Sequence, residues 1–264
     1  MKVVLSRKGM DSATGGMNSP ILPDGTLLSL PIPAEANGLT PYLDLHYKNL
    51  NYSDLIHSLK PRFQFTDCHL DPDIYAEATY RPKRWQAAFG QCEIAASHLD
   101  GNSVGPGDLF LFFGRFRKTM WKNGVLQYVR NAPAQHVIFG YLKVRCLLTD
   151  QTEITQKCPW HPHAYGERKN NRLYLAEKYG TFHLHDDLIL TKAGQPRLSL
   201  WALPAFLADP AISISYHNKQ VRQVIEGRTE LVSVGRGQEF VIAANTTEAE
   251  QALCSWAEMI IGLD

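Results

Sequence analysis

The clearest pattern in the chain is near its end. Ala249, Leu253, Trp256 and Ile260 recur at three- and four-residue spacing and predict an amphipathic helix, with Thr247 and Glu250 as a capping box. Leu55, Ile56 and Leu59 share one face of a second predicted helix over residues 51–60. Phe89, Cys92, Ala96 and Leu99 predict a third over 85–99. Residues 170–178, stopped by Gly180, read as a fourth.

Other segments lack the helical period. Leu109, Phe110, Leu111, Phe112 and Phe113 form an apolar run between a Gly105-Pro106-Gly107-Asp108 turn and Gly114, the signature of a core strand. Asn123-Gly124 predicts a hairpin turn. Residues 136–145 form a second long strand, and 2–6, 212–216, 231–234 and 240–243 form shorter ones. Pro20, Pro23, Pro31 and Pro33 exclude helix from the early segment and predict extended chain joined by turns. Asp71-Pro72-Asp73 reads as a helix start, with Asp71 as the cap. The expected fold class is α+β: a mixed, largely antiparallel sheet or a PUA-like β-barrel core, with flanking helices, in one domain over 1–264.

Composition narrows the options. The chain has 264 residues, 44% hydrophobic and 20% charged, with 27 basic and 26 acidic residues for a net charge of +1. A near-neutral balance excludes a polybasic nucleic-acid coat, so any polyanion must meet a local patch. The five cysteines form no CxxC pair. No apolar run approaches the roughly 20 residues that span a bilayer. A reduced, cytoplasmic setting without membrane contact is expected.

Several clusters can carry chemistry. Arg7, Lys8, Asp11 and Ser12 follow the first strand in a glycine-rich turn, where two cations can neutralise a phosphate; a solvated strand exit is the plainer reading. His69 with Asp71 and Asp73 can form an acid–base or metal set, although a helix cap explains the aspartates and leaves His69 as the functional member. Cys158, His161 and His163 are zinc-type ligands at an unfamiliar spacing, so His161 or His163 is read as a pocket residue, with His163 taken forward. Gln91 and His98 are two turns apart on the predicted helix and can face one base. Arg236, Gln238 and Glu239 stand among glycines: Arg236 can bind phosphate, Glu239 can act as a base, or the two can pair internally. Phe112, Phe113, Phe116, Trp121 and Tyr128 can stack bases beside Arg115, Arg117 and Lys118, or simply fill a core.

The opening block from Leu5 to Ser12, with Ser19-Pro20-Ile21 and Pro23-Asp24-Gly25, resembles the third type of nucleotide-modification-associated domain. So do His69-Leu70-Asp71-Pro72-Asp73, Phe89-Gly90-Gln91, the block from Gly107 to Gly114, and the block from Gly235 to Phe240. The blocks keep the family's order. The resemblance implies work on modified bases or nucleotides in bacteria or their phages, and carries no catalytic mechanism with it. The Leu109 and Val137 strands are more weakly similar to PUA-like and EVE-like barrels, which bind RNA or flipped bases.

These readings assign Asp11, His69 and Glu239 to catalysis and Arg7, Lys8, Ser12, Gln91, His98, His163, Arg236 and Gln238 to substrate. The substrate is a nucleotide or nucleic-acid base, alone or within DNA or RNA. Group transfer to a base is the reaction class that fits; the rivals are a non-catalytic reader of modified bases and a scaffold in a modification or defence cluster. No metal set is assigned, and cofactor and oligomeric state are left open.

Overall fold

The computed structural model describes residues 1–34, 40–75, 81–235 and 239–264. Its centre is a nine-stranded mixed sheet that curls into a half-barrel. Along the sheet the order is Ile212–Ile214, Glu239–Ala244, Val3–Arg7, Leu109–Lys122, Ala134–Leu148, Arg172–Thr181 and Ala88–Gln91; Ser19–Ile21 and Val125–Tyr128 pair with the second half of Leu109–Lys122. The strand Val3–Arg7 runs parallel to Leu109–Lys122 and antiparallel to Glu239–Ala244. The described helices are α1 (Tyr52–Leu59), α2 (Glu93–Gly101), α3 (Gln151–Lys157) and α4 (Thr247–Ile261). The α+β expectation holds. None of the described helices is long and apolar enough to cross a membrane.

The apolar run at 109–113 is the fully buried first part of its strand, as its composition requires. Phe89, Phe110, Phe112 and Tyr174 interlock edge-on or stacked, with Phe89 and Phe110 centroids 4.8 Å apart. Phe112, Phe113 and Phe116 are therefore core rather than base-stacking surface. Tyr128 is also engaged, donating its hydroxyl to the Asn18 carbonyl under the Arg117 guanidinium. The Asn123-Gly124 turn forms as expected, with both residues at positive φ.

Four local expectations change. Residues 170–178 join the strand Arg172–Thr181, because pairing with both Ala134–Leu148 and Ala88–Gln91 outweighs their helical preference. The helix expected over 85–99 divides into the edge strand Ala88–Gln91 and α2, so Phe89 and Gln91 point from a strand. The α4 cap is Thr246, whose hydroxyl accepts from the Ala249 N–H at 3.3 Å, one residue before the expected box. No helix starts at Asp71. Asp73 instead forms a bridge to Ala88, and its carboxylate takes both Arg81 nitrogens at 2.9 and 2.6 Å and the Trp85 indole N–H at 2.8 Å.

Candidate functional site

The end of the first strand sorts its polar residues onto two faces, because successive side chains alternate across a strand. Lys8 goes to one face. Its ammonium lies 3.2 Å from Glu239 Oε1 and 4.5 Å from the centre of the Phe89 ring. Glu239 opens the neighbouring strand and is 1% exposed. Its Oε1 also accepts from Gln91 Nε2 at 2.5 Å and from the Ser6 hydroxyl at 3.3 Å. Three donors from chain positions 231, 148 and 233 residues away thus meet one carboxylate oxygen. A carboxylate this deeply buried needs such partners.

A second cluster stands on the outer edge of Ala88–Gln91, with Asp71 at its hub. Asp71 Oδ1 accepts from the Gly90 backbone N–H at 2.8 Å and faces His161 Nε2 at 3.4 Å. Asp71 Oδ2 lies 3.9 Å from both His69 Nε2 and His163 Nε2. Gly90 is required here: a Cβ on it would stand 2.3 Å from the His163 ring. The two clusters meet at the edge strand: Gln91 bonds Glu239 in the first and its neighbour Gly90 bonds Asp71 in the second, and Lys8 acts electrostatically on both His69 and Asp71.

The ring orientations follow from the hydrogen bonds. His163 Nδ1 lies 2.6 Å from Asn171 Oδ1, an acceptor, so Nδ1 carries the proton and Nε2 presents its lone pair to Asp71 and His69. Asn171 is itself fixed by donating to Gln151 Oε1 and the His163 carbonyl. His161 Nδ1 accepts the His163 backbone N–H at 3.2 Å, so its proton sits on Nε2, toward Asp71. That Nε2 is buried and lies 3.4 Å from Asp71 Oδ1, a long contact rather than a formed hydrogen bond. Burial pushes His69 down to about 4 and His163 down to about 3, against the pull of Asp71, so both are neutral at neutral pH. Burial pushes the Asp71 carboxyl up, but the His161 N–H that faces it, above all, with His163 and Lys8 behind, outweighs burial and holds it below the usual carboxylate range. His69, Asp71 and His163 can hold a metal ion: one donor atom from each lies within 4.8 Å of the others.

The segments bearing Asp71 and His161 continue into a groove of about 380 Å³. Leu70, Asp73 and Arg81 form one side, and Trp160 and Tyr165 contribute aromatic surface. The Trp160 indole N–H is buried without a partner.

Arg7 goes to the opposite face from Lys8. It pairs with Asp11 at 2.6 Å and lines, with Ser12, Arg115, His136, Ser199 and Ser233, a separate cavity of about 270 Å³. Asp11 also accepts the Ala13 and Thr14 N–H groups and so closes a turn. Arg7 and Lys8 therefore do not grip one phosphate together, and Asp11 does not meet His69. His98 stands near Glu239 on α2, bonded to the Ser215 hydroxyl at 3.0 Å and stacked on Tyr216 at 4.4 Å; burial lowers its pKa. Arg236 and Gln238 lie outside the described residues.

Sequence reading missed Asp71 as the hub and Asn171 as the residue that orients His163. His69 and Asp71, like His161 and His163, are two residues apart, but each pair meets through a tight turn, the Asp71 N–H to the His69 carbonyl in one and the short 3-10 turn Pro162–Ala164 in the other.

The profile of nucleotide modification associated domain 3 matches residues 2–243, which span every residue of both clusters. The chain belongs to that family. The family gives a role in nucleotide modification at the level of the whole domain and names neither substrate nor reaction. No curated protein and no solved structure matches the chain. The likeness to PUA-like barrels thus gains no support.

Proposed function

We propose that this protein modifies a nucleotide or a nucleic-acid base, and that the reaction centre lies where Lys8, Gln91 and Glu239 adjoin His69, Asp71 and His163. The observation that carries this reading is the convergence itself. Segments near residues 8, 70, 90, 162 and 239 bring a cation, two carboxylates, an amide and neutral imidazoles to one end of the sheet. A purely structural role would be served by far fewer buried polar groups, each of which costs free energy unless paired.

Roles follow from position. Lys8 is the cation for a phosphate or a developing negative charge, and Glu239 positions it. Gln91 orients Glu239 and presents an amide that can read a base edge. His69, with a side chain 24% exposed, is the cluster member that meets substrate. The groove beside Trp160 and Tyr165 suits a flat aromatic ring. Arg7 and Ser12 serve the separate cavity, where with Arg115 they suit an anion away from the reacting base.

The test is mass spectrometry of nucleosides and nucleotides from cells with and without the protein. A species that appears or disappears with the protein supports the reading. Identical profiles, from cells in which the folded protein is demonstrably present, reject it.

A further inference from the structure

The geometry points to a divalent transition-metal site formed by His69 Nε2, one Asp71 carboxylate oxygen and His163 Nε2, with its remaining positions open on the His69 side. Four observations carry it. The donor set, two imidazoles and one carboxylate, is the set that binds iron(II)-type and zinc-type ions while leaving places for water or substrate. The donors already face one another, with Asp71 Oδ2 3.9 Å from each imidazole nitrogen and all three within 4.8 Å.

The third observation is the outer shell. A ligating histidine ordinarily donates its other ring N–H to a fixed acceptor, which sets its tautomer. His163 does this to Asn171 Oδ1 at 2.6 Å, and Asn171 is held in turn by Gln151 and by the His163 carbonyl. Gly90 keeps the space that the His163 ring occupies and donates its N–H to the other Asp71 oxygen, leaving Oδ2 for an ion. The fourth is His161. Fully buried, it aims an unpartnered Nε2 proton at Asp71 from 3.4 Å, which suits it to steady the carboxylate rather than to ligate.

Charge also fits. The cluster brings one carboxylate to a dication; of the two cations that act on His69, Lys8 is already paired with Glu239 and Arg168 donates to the Pro162 carbonyl. The surplus positive charge would sit where a phosphorylated substrate supplies the balance. This site deepens the proposed function by giving its reaction centre a cofactor class. Its test contains no nucleotide, so failure of the metal site and failure of that function are read separately.

The full chain, stripped with EDTA and desalted, is titrated with Co²⁺ by calorimetry and visible absorption, then with Fe²⁺ under anaerobic conditions, Mn²⁺ and Zn²⁺. One equivalent of at least one ion is expected to bind, with Co²⁺ giving visible bands. His69→Ala, at the partly exposed rim, and Asp71→Asn should abolish stoichiometric binding. Asn171→Ala should weaken it by about 10–100-fold, the usual cost of losing an outer-shell partner. His57→Ala, on the exposed face of α1, should bind as the parent does. Circular dichroism of each metal-free variant establishes that it is folded. Absence of stoichiometric binding by the parent protein, or unchanged affinity in folded His69→Ala, overturns the proposal.

Discussion

Gly90 and His163 occupy one space: a methyl group on the first would stand 2.3 Å from the ring of the second. The ring cannot easily retreat, because it is buried and bonded to Asn171. Gly90→Ala should therefore displace His163 from Asp71. We expect a loss of about 1–3 kcal/mol, typical of forcing extra volume into a packed interior. Chemical denaturation measures the loss, and Co²⁺ titration should show weakened binding in the same variant. Unchanged stability would mean that the ring has room the structure does not show.

Lys8 and Glu239 form a buried pair, with side chains 9% and 1% exposed. Lys8→Met leaves the Glu239 carboxylate with only Gln91 and Ser6 and should cost about 3–5 kcal/mol, the usual result of removing one partner of a buried pair. Lys8→Met with Glu239→Gln removes both charges together and should recover most of that loss. A double-mutant cycle by denaturation gives the coupling; simple additivity would show that the two charges do not depend on each other.

His136 makes stability depend on acid. It accepts the Trp201 indole N–H at 3.1 Å, and burial, helped by Arg7 and Arg115, lowers its pKa to about 4 from an unfolded 6.5. Between these values the unfolded chain binds a proton that the folded chain refuses. Stability from this residue is thus complete above pH 6.5 and falls as pH drops toward 4, by roughly 3 kcal/mol in all. His69 and His163 add slopes of the same sign. Denaturation at a series of pH values should show a shallower fall for His136→Asn than for the parent. Identical slopes would contradict the assignment.

Asp11 closes a turn through two backbone N–H groups and Arg7, all on the face away from His69. Asp11→Ala should cost about 1 kcal/mol, as a lost local cap does, and should leave any nucleoside change intact. Loss of that change in a folded Asp11→Ala protein would place Asp11 in the chemistry after all.

What the sequence made legible is what short-range rules control. The α1 helix, the Asn123-Gly124 turn and the Leu109 strand each depend on neighbours a few residues away. The strand Arg172–Thr181 was misread because its outward residues, Glu177 and Lys178 among them, are good helix formers, and only pairing on both sides makes it a strand. Gln91 and His98 were placed on one helix because the helical spacing of Cys92, Ala96 and Leu99 extends by chance back to Phe89. Asp71 looked like a helix cap because the Asp-Pro-Asp string is the same whether or not a helix follows. Its real donor, Gly90, lies 19 residues on, and the partner of Gln91 lies 148 residues on. Distances of that length have no local signature. Lys8, His69, Gln91, His163 and Glu239 were each chosen as polar candidates; their grouping comes from the pairing of distant segments, and the exclusion of Arg7 and Asp11 from side-chain alternation at the end of the first strand.

The most direct test of a reaction centre on the Lys8 face compares variants from the two faces in one readout. Nucleosides and nucleotides are profiled by mass spectrometry from cells making equal amounts of folded parent, His69→Ala, Glu239→Gln or Arg115→Ala protein. The account predicts a nucleotide species that changes with the parent, persists at least in part with Arg115→Ala, and returns to the level of protein-free cells with His69→Ala and Glu239→Gln. A profile for His69→Ala and Glu239→Gln indistinguishable from the parent would contradict it.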